Sequence, residues 1–125
     1  MTNRESLKAG RNALLRLHKE LVDHARTSYE IVNGPLSNAD FLLLLLNDSQ
    51  FQWLRRFSGL LVEIDELLAQ KDTPETKAIS GLMASLRAIA DFELERGEFR
   101  EKFKAALDDS TRAAHSFAEF KAIVS

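Results

Sequence analysis

The chain carries three histidines and no cysteine, so a metal site here would have to be built from imidazoles and carboxylates. A ferritin-like di-iron centre needs a Glu-x-x-His pair on each of two helices, because that spacing sets both ligands on one face. The sequence offers instead Glu20 with His24 and His115 with Glu119, both at four-residue spacing. Such pairs read more simply as exposed helix ion pairs, each contributing a few tenths of a kcal/mol. His18, His24 and His115 would converge only if the first and last helices were neighbours, and three scattered histidines are a weak metal signal. No metal ligand is assigned. His18 stands apart because it borders an apolar stripe between Leu14 and Leu21. It reads either as a core histidine bonded to one carbonyl or carboxylate, or as a proton-transfer group or ligand contact.

Other charged clusters give little more. Glu63 and Glu66 share a helix face beside Asp65, which suits a hard cation or a division of acid and base roles, but equally a solvated surface. Arg55 and Arg56 next to Trp53 could meet phosphate or an acidic partner, yet no glycine-rich phosphate cradle accompanies them. The basic run from Arg4 to Lys19 contains one acid, Glu5, and is explained by a solvated helix face. No nucleophile elbow or related motif is present. The sequence therefore names no catalytic residue and no cofactor. If an inter-helix pocket exists, His18, Tyr29, Trp53 and Arg55 are the residues placed to line it.

These side chains must be positioned by helices, because apolar residues recur at three- and four-residue steps and no stretch alternates like a strand. The spacing predicts a first helix from Asn3 to Val32, with Leu7, Leu14, Leu17, Leu21, Ala25, Tyr29 and Val32 on one stripe. Asn33-Gly34-Pro35 ends it, since Gly or Asn takes the left-handed cap and Pro cannot continue a helix. Ser37-Asn38-Ala39-Asp40 then resembles a capping box opening a short helix over residues 38–46. Its run Phe41 to Leu46 is apolar on every side, so most of it has to be covered by the rest of the chain or by a second subunit. Phe41, Leu42 and Leu45 are the candidates for such an interaction surface.

After a break at Asn47-Asp48, a helix capped by Asp48 or Ser49 is predicted to reach about Gln70. Trp53, Phe57, Leu60, Ile64 and Leu67 form one line on it, and Leu54, Leu61 and Leu68 a second. Two adjacent lines demand more than one neighbour, which marks this helix as the central one. Lys71 to Pro74 is a connector, with Thr73 as N-cap, Pro74 at the first helical position and Glu75 at the positive end of the dipole. Ile79, Leu82, Met83, Leu86 and Ile89 supply the next stripe. Gly81 within it costs about 1 kcal/mol relative to Ala, which a close helix approach would explain as well as a tolerated defect.

Asp91 to Gly97 breaks the pattern. Phe99, Phe103, Ala106, Ser110, Ala113, Phe117, Phe120 and Val124 then keep a four-three spacing to the C-terminus, crossed by the poor helix formers Asp108 to Thr111. The last element is one long helix, or two with a kink near Asp109. The expected fold is all-α, an antiparallel four-helix bundle with a short helix between its first two long ones, as one domain over residues 1–125.

Composition bounds the role. An apolar content of 45 % and a charged content of 29 % are ordinary for a globular domain. A net charge of −2 gives no general attraction to nucleic acid, and the helix after residue 48 is too apolar to lie in a DNA groove. Phe41 to Leu46 is far short of the roughly 20 residues that span a bilayer, and polar Met1 to Gly10 does not read as a secretory leader. With cysteine absent, the expectation is a cytoplasmic protein with no membrane or nucleic-acid partner.

Leu17-His18-Lys19, Tyr29-Glu30, Gly34-Pro35, Asn47-Asp48-x-x-Phe51-x-Trp53-Leu54-Arg55 and Glu63-Ile64-Asp65-Glu66 resemble a family of small, uncharacterised bacterial helical proteins. The resemblance covers the first half of the chain better than the second. It implies a bacterial origin and an all-helical fold, and it carries over no activity and no catalytic residue. The functional expectation is thus a non-enzymatic bundle acting through self-association or contact with a protein partner, with a small-molecule or metal-binding bundle as the alternative.

Overall fold

A computed structural model describes residues 3–70 and 76–125. Among them there are six α-helices, two short 3₁₀ segments and no strand. Helix α1 runs Asn3–Asn33, α2 Asn38–Asn47, α3 Arg55–Leu68, α4 Thr76–Ala90, α5 Glu98–Asp109 and α6 Thr111–Val124. The Lys71–Pro74 connector, its Thr73 cap and Glu75 lie outside the described residues.

Helix α1 takes the central place that the sequence suggested for α3. It packs against α3, α4, α5 and α6, and Leu7, Leu14, Leu17 and Leu21 are fully buried along it. Two small residues on the same stripe, Gly10 and Ala13, let its neighbours approach. A methyl group added at Gly10 would sit 2.8 Å from Leu86 Cδ1 of α4 and 3.3 Å from Val124 Cγ1 of α6. Gly81, in contrast, faces open space. The close approach is therefore at Gly10, and Gly81 is a defect that its exposed position tolerates.

The stripe of α1 leaves the core before the helix ends. Ala25 and Tyr29 pack only partly against the core, while Ile31 and Val32 are 80 % and 82 % exposed. Gly34 at φ 86° then ends the helix, its N–H donating to the Glu30 carbonyl at 2.8 Å. The left-handed conformation suits glycine because it has no Cβ.

The apolar lines of α3 are where the spacing put them, with Phe57, Leu60, Leu61, Ile64 and Leu67 all buried. Its beginning differs. Asp48 caps the segment by accepting from Gln50 N–H at 2.9 Å, but Ser49–Leu54 winds as a 3₁₀ helix before α3 starts at Arg55. In that tighter winding residues three apart eclipse, which turns Phe51 and Leu54 both inward and leaves Trp53 half-buried at the side.

The chain crosses from α4 to α5 through a short 3₁₀ turn, Phe92–Leu94, which buries Phe92. Phe92 stacks on Phe103 of α5 with ring centroids 4.3 Å apart. Phe103 also meets Phe57 at 5.2 Å and Phe117 at 5.3 Å, so one ring ties α3, α5, α6 and the crossing together. The final stripe is broken at Ser110, whose backbone leaves the helix and whose hydroxyl accepts from Ala113 N–H at 3.1 Å as the N-cap of α6. Of the two forms open for this element, the interrupted one is found. Buried Phe103, Ala106, Ala113, Phe120 and Val124 continue across the break. No helix is long and apolar enough to cross a membrane among the described residues.

Candidate functional site

Helix α2 is apolar all round, and its two sides have different fates. At 3.6 residues per turn Phe41, Leu44 and Leu45 fall on one arc and Leu42, Leu43 and Leu46 on the opposite one. The first arc faces the protein: Phe41 is buried, and Leu44 and Leu45 pack partly against the core. The second faces outward, with Leu42, Leu43 and Leu46 exposed to 55 %, 58 % and 59 %. Of the three residues expected at an interaction surface, Leu42 is exposed, whereas Phe41 and Leu45 point inward; Leu43 and Leu46 are the other exposed leucines of this helix. Spacing alone shows two faces on this helix, but not which one the core claims.

The orientation of α2 is held by Arg26 and Glu30 on α1. Arg26 donates from Nη2 to the Leu36 carbonyl at 2.6 Å and from Nη1 to Asn38 Oδ1 at 2.8 Å. Its guanidinium also lies 5.1 Å from the centroid of the Phe41 ring. Glu30 accepts from Arg26 Nε at 3.3 Å and from the Leu36 N–H at 2.8 Å. The planar fork of arginine makes this bracket possible. It satisfies both backbone groups of Leu36 in the turn before α2, and Ser37 then caps the helix by accepting from Asp40 N–H at 3.1 Å.

A cleft of about 530 Å³ lies beside this region, between the C-terminal half of α1, the 3₁₀ segment and α5. Tyr29, Phe51 and Trp53 form its aromatic wall, with Tyr29 and Phe51 at a centroid distance of 6.0 Å. Tyr29 also lines a second cleft of about 520 Å³, shared with Leu36 and with Leu43 of α2.

The four residues proposed from sequence as pocket-lining are thus divided. Tyr29 and Trp53 share the first cleft. His18 does not reach it; it stacks on Phe57 with ring centroids 6.1 Å apart. Burial pushes its pKa below the usual histidine value of 6.5 by disfavouring the charged ring. Arg55 is occupied in joining helices, donating from Nε to the Leu45 carbonyl at 3.2 Å and from Nη2 to the Asp48 carbonyl at 3.4 Å. Arg56 is likewise committed, with two bonds to Glu95 at 2.7 and 2.8 Å and its guanidinium 4.3 Å from the Phe99 ring centroid. Its hydrogen bonds hold the Glu95 carboxyl below the usual range.

The histidines part company. His24 pairs with Asp109 at 3.3 Å, and His115 with Glu119 at 3.1 Å on an exposed face. Glu20 bonds to Arg112 rather than to His24. Among the described residues no group of three or more His, Asp or Glu side chains is placed to hold a metal ion. Asp65, from the acidic cluster of α3, is held by Arg11 of α1 at 2.9 and 3.2 Å.

Sequence reading took His24 only as a candidate metal ligand and did not assign Arg26, Leu43, Leu46, Lys102 or Asp109 to a site. A signal existed for the last two. Lys102, Ala105, Ala106 and Asp109 stand at i, i+3, i+4 and i+7, which puts a charge at each end and bare methyl groups between on one face of α5. No protein-family model matches the chain, and neither a curated protein nor a solved structure matches it.

Proposed function

We propose that this protein is a non-enzymatic helical bundle that acts by self-association, with the outer face of α2 as the contact between two copies. In this proposal the helices form an antiparallel four-helix bundle, with the 3₁₀ segment counted with α3 and the interrupted α5 and α6 as one helix. The observation that carries the functional reading is the face of Leu42, Leu43 and Leu46. Scattered exposed leucines are ordinary, but here three adjoin on one short helix that the Arg26 bracket holds in place. The only charged residue of α2 is Asp40, in its first turn. A face without charge has nothing to select a partner of opposite sign, and it can meet its own copy about a two-fold axis without like-charge repulsion.

The strength follows from the exposures. Covering the exposed half of a leucine contributes about 1 kcal/mol. Three leucines from each copy give about 6 kcal/mol, little above the low end of the roughly 4–15 kcal/mol cost of association, so the dimer is weak and populated only at high protein concentration. The test is sedimentation equilibrium over a wide concentration range for the wild type and for the triple variant Leu42→Gln/Leu43→Gln/Leu46→Gln. Self-association in the wild type that the variant loses supports the reading. A wild type that stays monomeric, or a variant that associates equally well, overturns it.

A further inference from the structure

We infer that the cleft between α1, the 3₁₀ segment and α5 binds a small single-ring aromatic carboxylate carrying a hydroxyl at its far end. The space exists because small residues face each other across it, with Ala25 and Ser28 on α1 and Ala105 and Ala106 on α5. Its volume of about 530 Å³ is in the usual range for small-molecule sites. Tyr29, Phe51 and Trp53 line it, an aromatic lining that favours a flat aromatic guest.

The two ends of the cleft differ in what they offer a guest, a spare N–H donor at one and a spare carboxylate oxygen at the other, which sets the guest's polarity. Lys102 stands at one end. Its ammonium donates to the Gln50 carbonyl at 3.1 Å and pairs with Glu98 at 2.9 Å, which leaves one of its three N–H donors for a carboxylate. Asp109 stands at the other. One of its oxygens meets His24 Nε2 at 3.3 Å, and the second accepts no hydrogen bond among the described residues, so it can accept one from a ligand hydroxyl. Seven residues of helix separate these side chains, roughly 10 Å along the axis. A ring with substituents at opposite positions spans that length when one hydrogen bond is added at each end. A guest with a carboxylate at both ends would place one of them against Asp109, and a hydrocarbon would leave both polar ends without a partner.

The experiment is an NMR titration of the full chain with 4-hydroxyphenylacetate, 4-hydroxyphenylacetamide and phenylacetate. The indole N–H of Trp53, the only tryptophan in the sequence, is a resolved reporter in the cleft wall. The hydroxy acid is expected to shift this signal together with amides lining the cleft. The neutral amide should bind roughly tenfold more weakly, since it gives up a charge-assisted bond, and phenylacetate several-fold more weakly. Lys102→Gln should bring the acid and the amide to equal affinity, and Ala105→Leu, a change at an exposed position that fills the trough, should abolish binding of all three. The proposal is overturned if the Trp53 signal does not move with the hydroxy acid. It is equally overturned if acid and amide bind alike in the wild type, or if Ala105→Leu leaves the titration unchanged.

Discussion

Arg26→Ala tests how the fold presents its exposed leucines. The substitution removes the bonds to Leu36 O at 2.6 Å and Asn38 Oδ1 at 2.8 Å, and the contact of the guanidinium with the Phe41 ring at 5.1 Å. A hydrogen bond from a charged donor is worth about 1.5–3 kcal/mol when buried, and partial exposure of this site reduces each to roughly half of the lower figure. With about 0.5 kcal/mol from the cation–π contact, the loss comes to about 2 kcal/mol. It falls on the attachment of α2, because Arg26 touches the turn and the helix start but not the partners of α3 or α6. Native-state hydrogen exchange separates the two cases. The amides of α2 should exchange roughly 30-fold faster in the variant, while those of α3 and α6 change little. Arg26→Lys should behave like the alanine variant, since an ammonium cannot reproduce the fork. Equal acceleration of all helices, or no acceleration of α2, would refute the bracket.

Three further outcomes follow from particular residues. Gly81→Ala should raise stability by up to about 1 kcal/mol, because it gains helix propensity in open space. Gly10→Ala should lower stability despite the same gain, since its methyl group would meet fully buried Leu86 at 2.8 Å and overpacking costs about 1–3 kcal/mol; paired urea titrations read both signs. His18, with its native pKa held below 6.5 by burial, should weaken the fold in acid. Below pH 6.5 the unfolded chain binds a proton that the native ring resists, so stability falls until the pH passes the native pKa. His18→Gln should lose that part of the pH dependence in unfolding curves recorded between about pH 7.5 and 5.5, and an unchanged slope would place the titration elsewhere.

Much of the fold was legible because its signals are local. Asn33-Gly34-Pro35 ended α1 within one residue of the observed boundary, and the alternating steps of α3 and of the last stripe identified buried Phe57, Ile64, Phe103 and Phe120. What escaped depended on contacts between segments. Nothing local distinguishes Phe41 from Leu43 in a run of Phe and five leucines; the phase is set by Arg26, on a different helix. The 3₁₀ winding of Ser49–Leu54 follows from seating Phe51 and Leu54 together, which period counting in α-helical steps cannot anticipate. Val32 belongs to the stripe of α1 by spacing, but the helix has passed the core by that point. The cleft joins three segments far apart in sequence, so Tyr29 and Trp53 were named for their residue types, Asp109 only as the position of a kink, and Lys102 not at all.

The central claim is that the outer face of α2 meets its own copy. It is tested most directly by isotope-filtered NOE spectroscopy on an equimolar mixture of methyl-labelled and unlabelled chains. At the highest attainable protein concentration, where a weak dimer is most populated, intermolecular contacts are predicted at the methyl groups of Leu42, Leu43 and Leu46, with none at buried Leu14 or Leu17. Intermolecular contacts confined to another surface, or none at all, would contradict the account.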